Sequence, residues 1–296
     1  MKNGRGVILY LAIVFAVSFG IALAFHGLGL MARLRPGLWT MIPFAALLWT
    51  PALAAFVASA VTGDVEPRLC LWPLPRAWAW GISIAVPALF AVTWGVTVWI
   101  GLDEADWSLA ALEPFLRQGA GVEASLPPMP FFLVAGFLLS IFLGSTICAF
   151  FLLGNEIGWR AYLLPQLLPM GRVKAYALSG VLWGLSFAPL IFLGYLGNED
   201  TFSALMRSCC VATGLGIVLG ELWRRFRHVG LVALAAGSFA GQVFGMWQFL
   251  FPFTSSPMAG AFGWISACVW LLAGLIALGF PGSQEGGAGD GSIAKE

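Results

Sequence analysis

Apolar residues run along this chain in long blocks separated by short polar breaks. A helix needs about 20 apolar residues to cross a hydrocarbon layer about 30 Å thick. Blocks of that kind lie near Val7–Leu30, Leu38–Val61, Ala79–Ile100, Phe131–Leu153, Ala175–Leu196, Phe202–Trp223, Val229–Leu250 and Ala261–Gly279. They predict an all-α, polytopic integral membrane helix bundle of about eight transmembrane helices, forming a single transmembrane domain over residues 1–280. The remainder, 281–296, is rich in Gly, Ser and acidic residues and is expected to be a disordered cytoplasmic tail. Lys2 and Arg5 precede the first block, and Ala22-Leu23-Ala24 within it has the form of a signal cleavage site. Its apolar stretch exceeds the usual signal core, so a retained span is expected.

Composition narrows the function. Of 296 residues, 60% are hydrophobic and only 10% charged, against about 25% charged in a soluble domain. An ordinary soluble enzyme and a disordered chain are excluded. So is a nucleic-acid partner, which would demand a basic surface. The net charge is +1, so charge acts here through its placement. With the N-terminus in the cytoplasm, Lys2, Arg5, Arg68, Arg76, Arg160, Arg172, Lys174, Arg224, Arg225, Arg227 and Lys295 fall inside. Arg33, Arg35 and Arg117 fall outside, and Arg207 lies within a span near its outer end. That bias follows the positive-inside rule and places both termini in the cytoplasm. Asp103, Glu104, Asp106, Glu113, Glu123, Glu199 and Asp200 gather on the outer side. Within the outer segment, Trp107–Leu112 is expected to lie flat at the interface, and residues 62–78, with three Pro and two Trp, read as an interfacial cytoplasmic loop. No internal repeat marks a transporter. The five cysteines form no CxxC pair and read as small buried hydrophobes.

The stretch richest in chemistry lies just beyond the fourth block: Gly154-Asn155-Glu156-Ile157-Gly158-Trp159-Arg160-Ala161-Tyr162-Leu163-Leu164-Pro165. Glu156 and Arg160 are four apart, so a helix puts them on one face and lets them pair. A carboxylate costs about 2.5–3.5 kcal/mol at the centre of a span, and such a group faces a cavity or a partner. A polar site near the cytoplasmic membrane face and a structural ion pair ending a helix account for these two residues equally well.

Residues 154–165 resemble the first motif of the CPBP intramembrane metalloproteases, the group of CAAX prenyl endopeptidases and bacteriocin-processing or immunity (Abi) proteins. That motif reads Glu-Glu-x-x-x-Arg, then Gly-Tyr-Leu-x-Pro; the chain supplies Asn155-Glu156-x-x-x-Arg160, then Ala161-Tyr162-Leu163-Leu164-Pro165. The second, Trp-Gly-Leu-x-His-x-Pro, is similar to Trp183-Gly184-Leu185-Ser186-Phe187-Ala188-Pro189. The third, His-x-x-x-Asn, falls in register with Ala236-Gly237-Ser238-Phe239-Ala240. The resemblance covers a core of about residues 130–250. It implies a bacterial-type cell (cytoplasmic) membrane, and a site in which the first Glu activates water while two His and the Asn complete a metal centre.

The departures fall on those same positions. Asn155 has no basic carboxylate to take a proton from water. Phe187 offers no lone pair to a divalent cation, and Ala236 and Ala240 replace the remaining donors. The chain has only His26 and His228. In this topology His26 sits near the outer end of the first span, about 30 Å from Asn155, hydrogen-bonded inside the bundle. His228 lies among Arg224, Arg225 and Arg227, which oppose a metal. Glu156 and Arg160 are left as motif remnants, with no catalytic residue and no metal or other cofactor expected. Trp159, Trp183, Ser238 and Gln242 are the candidates to line the family's cavity. Gly214, Gly216 and Gly220 read as close helix packing, and Arg207 as snorkelling to the interface or pairing with Asp200. The expected function is a pseudoprotease that binds or regulates, its partners being membrane lipids and a transmembrane or lipidated peptide. The rival is an active CAAX-type metalloendopeptidase using Glu156 with unrecognised ligands, and zinc or another divalent metal belongs to that reading alone.

Overall fold

A computed structural model describes residues 4–29, 38–63, 67, 69–112, 128–194, 200–252 and 256–280. The expected tail, Arg33, Arg35, Arg117, Glu113, Glu123 and Glu199 lie outside the described residues. Among the described residues the regular structure is entirely helical. The helices are α1 (Gly4–Gly27), α2 (Leu38–Thr62), α3 (Arg76–Trp99), α4 (Met129–Leu143), α5 (Ala149–Glu156), α6 (Leu164–Leu167), α7 (Arg172–Leu185), α8 (Ala188–Phe192), α9 (Thr201–Phe226), α10 (Val229–Val243), α11 (Trp247–Leu250) and α12 (Trp264–Gly279). Among the described residues, seven helical stretches are long and apolar enough to cross a membrane. The eighth predicted block is helical for 16 residues as α12, about 24 Å at 1.5 Å per residue. The molecule is a multi-pass helical membrane protein.

Two predicted boundaries move. The fourth block does not end near Leu153. Through π turns at Gly144–Cys148 and Ile157–Leu163, one helical rod runs over Pro130–Met170, 41 residues. Its first half exposes Phe131, Val134, Leu138 and Phe142, whereas Gly154 to Leu164 is buried without a break. Glycines permit that enclosure. A Cβ on Gly154 would lie 2.8 Å from Trp49 Cα, and one on Gly158 would strike Pro51, so α2 lies directly against the rod. The fifth block, predicted as one span, breaks at Ser186–Phe187 between α7 and α8. Pro189 has no N–H to continue the helix, and its ring would clash with the carbonyl four residues earlier.

Small residues bring the other helices into backbone contact, the usual route to close packing where lipid removes the hydrophobic drive between helices. Gly180 and Gly184 of α7 face Thr213 and Cys209 of α9; a Cβ on either glycine would come within 2.5 Å of the opposing Cα. Gly214 of α9 lies against the backbone of Trp270 and Leu271 on α12, Gly220 lies against the Tyr176 ring, and Gly216 sits beside Gly180 and Arg160. Gly237 and Gly241 of α10 meet Gly144 in the first π turn. The packing expected of the three α9 glycines is what the structure has.

Hydrogen bonds define the two ends of the bundle. At one, Arg172 bonds the Leu278 carbonyl, Arg225 bonds the Phe280 carbonyl, and Gly230 N–H bonds Cys70 O. This end carries Arg172, Lys174, Arg224, Arg225 and Arg227 and is termed the basic end. At the other, Asp106 N–H bonds Leu250 O, among Asp103, Glu104 and Asp200; this is the acidic end. Here Trp107–Leu112 does not lie flat as a surface helix. Asp106 accepts from Ser108 N–H, Ser108 Oγ–H and Ala110 N–H, which curls the chain into a turn. Leu109 and Leu112 tuck into the core while Trp107 stays exposed.

Candidate functional site

The enclosed part of the rod presents Asn155 and Glu156 at the end of α5, and Trp159 and Arg160 in the π turn after it. All four are almost wholly buried, Glu156 at 0% and Arg160 at 1% exposure. One helical turn separates the partners of each pair, so two contacts run side by side along the rod. Trp159 Nε1 donates to Asn155 Oδ1 at 2.8 Å, and Arg160 Nη1 donates to Glu156 Oε1 at 3.1 Å. Glu156 Oε2 has no hydrogen-bond partner among the described residues.

Neighbouring elements close over these residues. Tyr10 of α1 meets Trp159 edge to face, with ring centroids 5.7 Å apart, and lies 5.2 Å from Tyr162. The Arg160 guanidinium stacks over the Trp183 ring of α7 at 4.2 Å. That geometry suits a cation and adds about 2 kcal/mol when desolvated. Trp183 in turn faces Phe187, centroids 6.3 Å apart. The first and second motifs are thus joined directly through Arg160 and Trp183. Glu156 and Arg160 sit within an enclosed helix rather than at the edge of a span.

The third stretch lies on α10, which packs along α5 and the first π turn. Ala236 and Ser238 are buried and Ala240 is half-buried. Ser238 Oγ lacks a partner among the described residues. Gln242, 0% exposed, accepts from Trp247 Nε1 at 2.9 Å through Oε1, and it lines an opening at the acidic end together with Trp247 and Arg207.

Do these residues suit the metal that the resemblance implies? A hydrolytic zinc is held by three protein donors and a water. Asn155 Oδ1 and Glu156 Oε1 are already bonded, Phe187, Ala236 and Ala240 offer only carbon, and Glu156 Oε2 is a single oxygen. The set does not fit. His228 is committed elsewhere: Nδ1 accepts from Leu231 N–H at 3.1 Å, so the proton sits on Nε2 and is donated to Pro73 O at 3.0 Å. It caps α10 and ties down the loop before α3. His26, expected inside the bundle, is exposed in the last turn of α1. Arg207 is 7% exposed and donates to Ser203 Oγ at 3.3 Å, while Asp200 accepts from Phe202 N–H as the N-cap of α9.

The sequence did not single out the polar hub at the basic end. Glu221, 3% exposed, accepts from Arg172 Nε at 2.5 Å, Tyr176 Oη at 2.7 Å and Arg224 Nη2 at 3.0 Å. Its spacing from Arg224 and Arg225 and the Arg172–Tyr176 spacing were visible on their separate helices. That α7 and α9 would bring them together was not.

No curated protein matches the chain. Residues 127–240 match the family model described as Type II CAAX prenyl endopeptidase Rce1-like. That segment, which holds Asn155, Glu156, Arg160, Trp183 and the α10 stretch, is similar to the Rce1-like CAAX endopeptidases of the CPBP family.

Proposed function

We propose that this CPBP-family membrane protein has lost hydrolytic chemistry and works as a binding or regulatory pseudoprotease. Its ligand is a transmembrane helix, a lipidated peptide or a lipid, held within one transmembrane domain in a bacterial-type cytoplasmic membrane, with both termini and the basic end in the cytoplasm. One observation carries this reading: the groups at the family's catalytic positions are either apolar or already bonded to each other. Asn155 is tied to Trp159 and Glu156 to Arg160, and Phe187, Ala236 and Ala240 supply no donor. A water held at Asn155 would meet an amide, which cannot accept its proton. Buried pairs of this kind shape a recess without reacting in it.

Metal content and cleavage, measured on the same purified chain, test the proposal. The expected result is sub-stoichiometric zinc and no cleavage of a prenylated CAAX peptide, with Glu156→Gln leaving both readouts unchanged. Stoichiometric zinc or another transition metal, removed by a chelator together with a cleavage activity that Glu156→Gln abolishes, overturns it in favour of an active endopeptidase.

A further inference from the structure

The basic end carries a surface that the family motifs do not use. There the chain just before α3 lies across the turn between α9 and α10. His228 Nε2–H donates to Pro73 O at 3.0 Å, and Gly230 N–H donates to Cys70 O at 3.1 Å. Trp78 packs on Phe226, with ring centroids 5.1 Å apart. This stitching leaves Leu69, Leu71 and Trp72 exposed. It also brings two exposed cations to one corner: Arg227 directly precedes His228, and Arg76 opens α3 shortly after Pro73.

The charges at this end are not equivalent. Glu221 is the one carboxylate here among the described residues, and Arg172 and Arg224 bond it. Arg225 lies 3.8 Å from it and bonds Phe280 O. Arg76 and Arg227 form no ion pair among the described residues. Arg227 is also held in an unusual way. It ends α9 in the left-handed conformation, with φ 50° and ψ 33°. Glycine is the usual residue there, because a Cβ crowds the following carbonyl oxygen. An arginine stands in its place, with the guanidinium over the Trp223 ring at 4.2 Å. The stack holds the cation in position while the residue stays exposed.

We infer that this corner seats an anionic phospholipid of the adjoining leaflet, its phosphate on Arg227 and Arg76 and its acyl chains against Leu69, Leu71 and Trp72. Cations beside exposed apolar groups match a molecule that is itself charged at one end and apolar at the other. Basic clusters at a membrane surface draw anionic headgroups, by about fivefold for each Lys or Arg. Tryptophan settles at the same depth, with its ring toward the chains and its N–H toward water. A free phosphate ion gains nothing from Leu71 or Trp72, so the surface favours the lipid. The site is separate from the recess at Glu156 and stands whether or not that recess has lost its chemistry.

Native mass spectrometry of the full-length chain in detergent micelles, titrated with dioleoyl phosphatidylglycerol or dioleoyl phosphatidylcholine, tests the inference. The acyl chains are identical, so the ratio of the two affinities reports the headgroup alone. Phosphatidylglycerol is expected to bind about 25-fold tighter, from about fivefold for each of two cations. Arg227→Gly is the decisive variant, because glycine suits the left-handed position and removes the cation without straining the backbone. It is expected to cut the preference about fivefold with the circular dichroism unchanged, and its combination with Arg76→Gln to erase the preference. Trp72→Ser should weaken both lipids and keep their ratio. Glycerol 3-phosphate, at the concentration of the lipid, should displace neither. Equal binding of the two lipids, a preference that Arg227→Gly leaves intact or that survives in the double variant, affinities untouched by Trp72→Ser, or displacement by glycerol 3-phosphate overturns the inference. The comparison of the two lipids on the unaltered chain decides the matter even where a variant fails to fold.

Discussion

Replacing Arg160 with Met removes a cation from a site where nothing else can take its place. Glu156 is 0% exposed; Oε1 loses its 3.1 Å partner, and Oε2 has none to begin with among the described residues. Stripping one member from a buried ion pair costs about 3–5 kcal/mol, because the other charge is left uncompensated. Losing the 4.2 Å contact with Trp183 adds about 1–2 kcal/mol. Arg160→Met is therefore expected to destabilise by about 4–7 kcal/mol, and Glu156→Met by about 3–5 kcal/mol, since it orphans the guanidinium. The double variant removes both charges and fills the space with apolar groups of similar volume, a change that is often neutral or even stabilising for a buried pair. Its loss should be smaller than that of either single variant, with a coupling of at least about 2 kcal/mol between the two positions. Reversible unfolding in mixed micelles with increasing dodecyl sulfate, followed by Trp fluorescence and circular dichroism, measures all three losses. Single losses that add to the double loss within about 0.5 kcal/mol would refute the pairing. Trp183→Leu supplies an internal check, because its effect should shrink once Arg160 is gone.

Three further outcomes are expected. Gly184→Ala places a methyl 2.5 Å from Cys209 Cα and should destabilise by about 1–2 kcal/mol, the overpacking outweighing a helix-propensity gain of about 1 kcal/mol. Gly95→Ala, helical with nothing within 4 Å of the added carbon, should stabilise by about 0.5–1 kcal/mol, and thermal melts of the two variants should move in opposite directions. Glu221→Gln should cost about 1.5–3 kcal/mol by weakening the charge-assisted bonds from Arg172 and Arg224, which remain partly solvated. Tyr176→Phe should cost about 1–3 kcal/mol for one bond to a charged acceptor, and unfolding of the two variants side by side ranks them. The Ser108 hydroxyl bond holds the Asp106 carboxyl below the usual aspartate range. A depressed folded value makes the turn's contribution complete above that range and lost as pH falls through the lower value. Hydrogen exchange at Ser108 and Ala110 N–H should stay protected at mildly acidic pH and open only below it; loss of protection at neutral pH would contradict the capping.

Much of this protein could be read from its residues in order. Spans reveal themselves because an apolar run of about 20 residues has few other places to go, and every predicted block does contain helix. The Glu156–Arg160 pair arose from a spacing of four on one helix face, and the close packing at Gly214, Gly216 and Gly220 from the absence of side chains. Tertiary structure decided what depends on neighbours distant in sequence. Gly154 and Gly158 do not reveal that α2 will lie against them, so the enclosure of the motif became visible only in three dimensions. Neither α7 nor α9 alone specifies the hub at Glu221, because Arg172 and Tyr176 reach it across 45 to 49 positions. The same holds for Leu109 and Leu112, which enter the core because Asp106 bonds Ser108 and Ala110 and Leu250 receives the Asp106 N–H. Local periodicity sets where a helix forms and which face is apolar; which face meets which neighbour is set by the packing of all the helices at once.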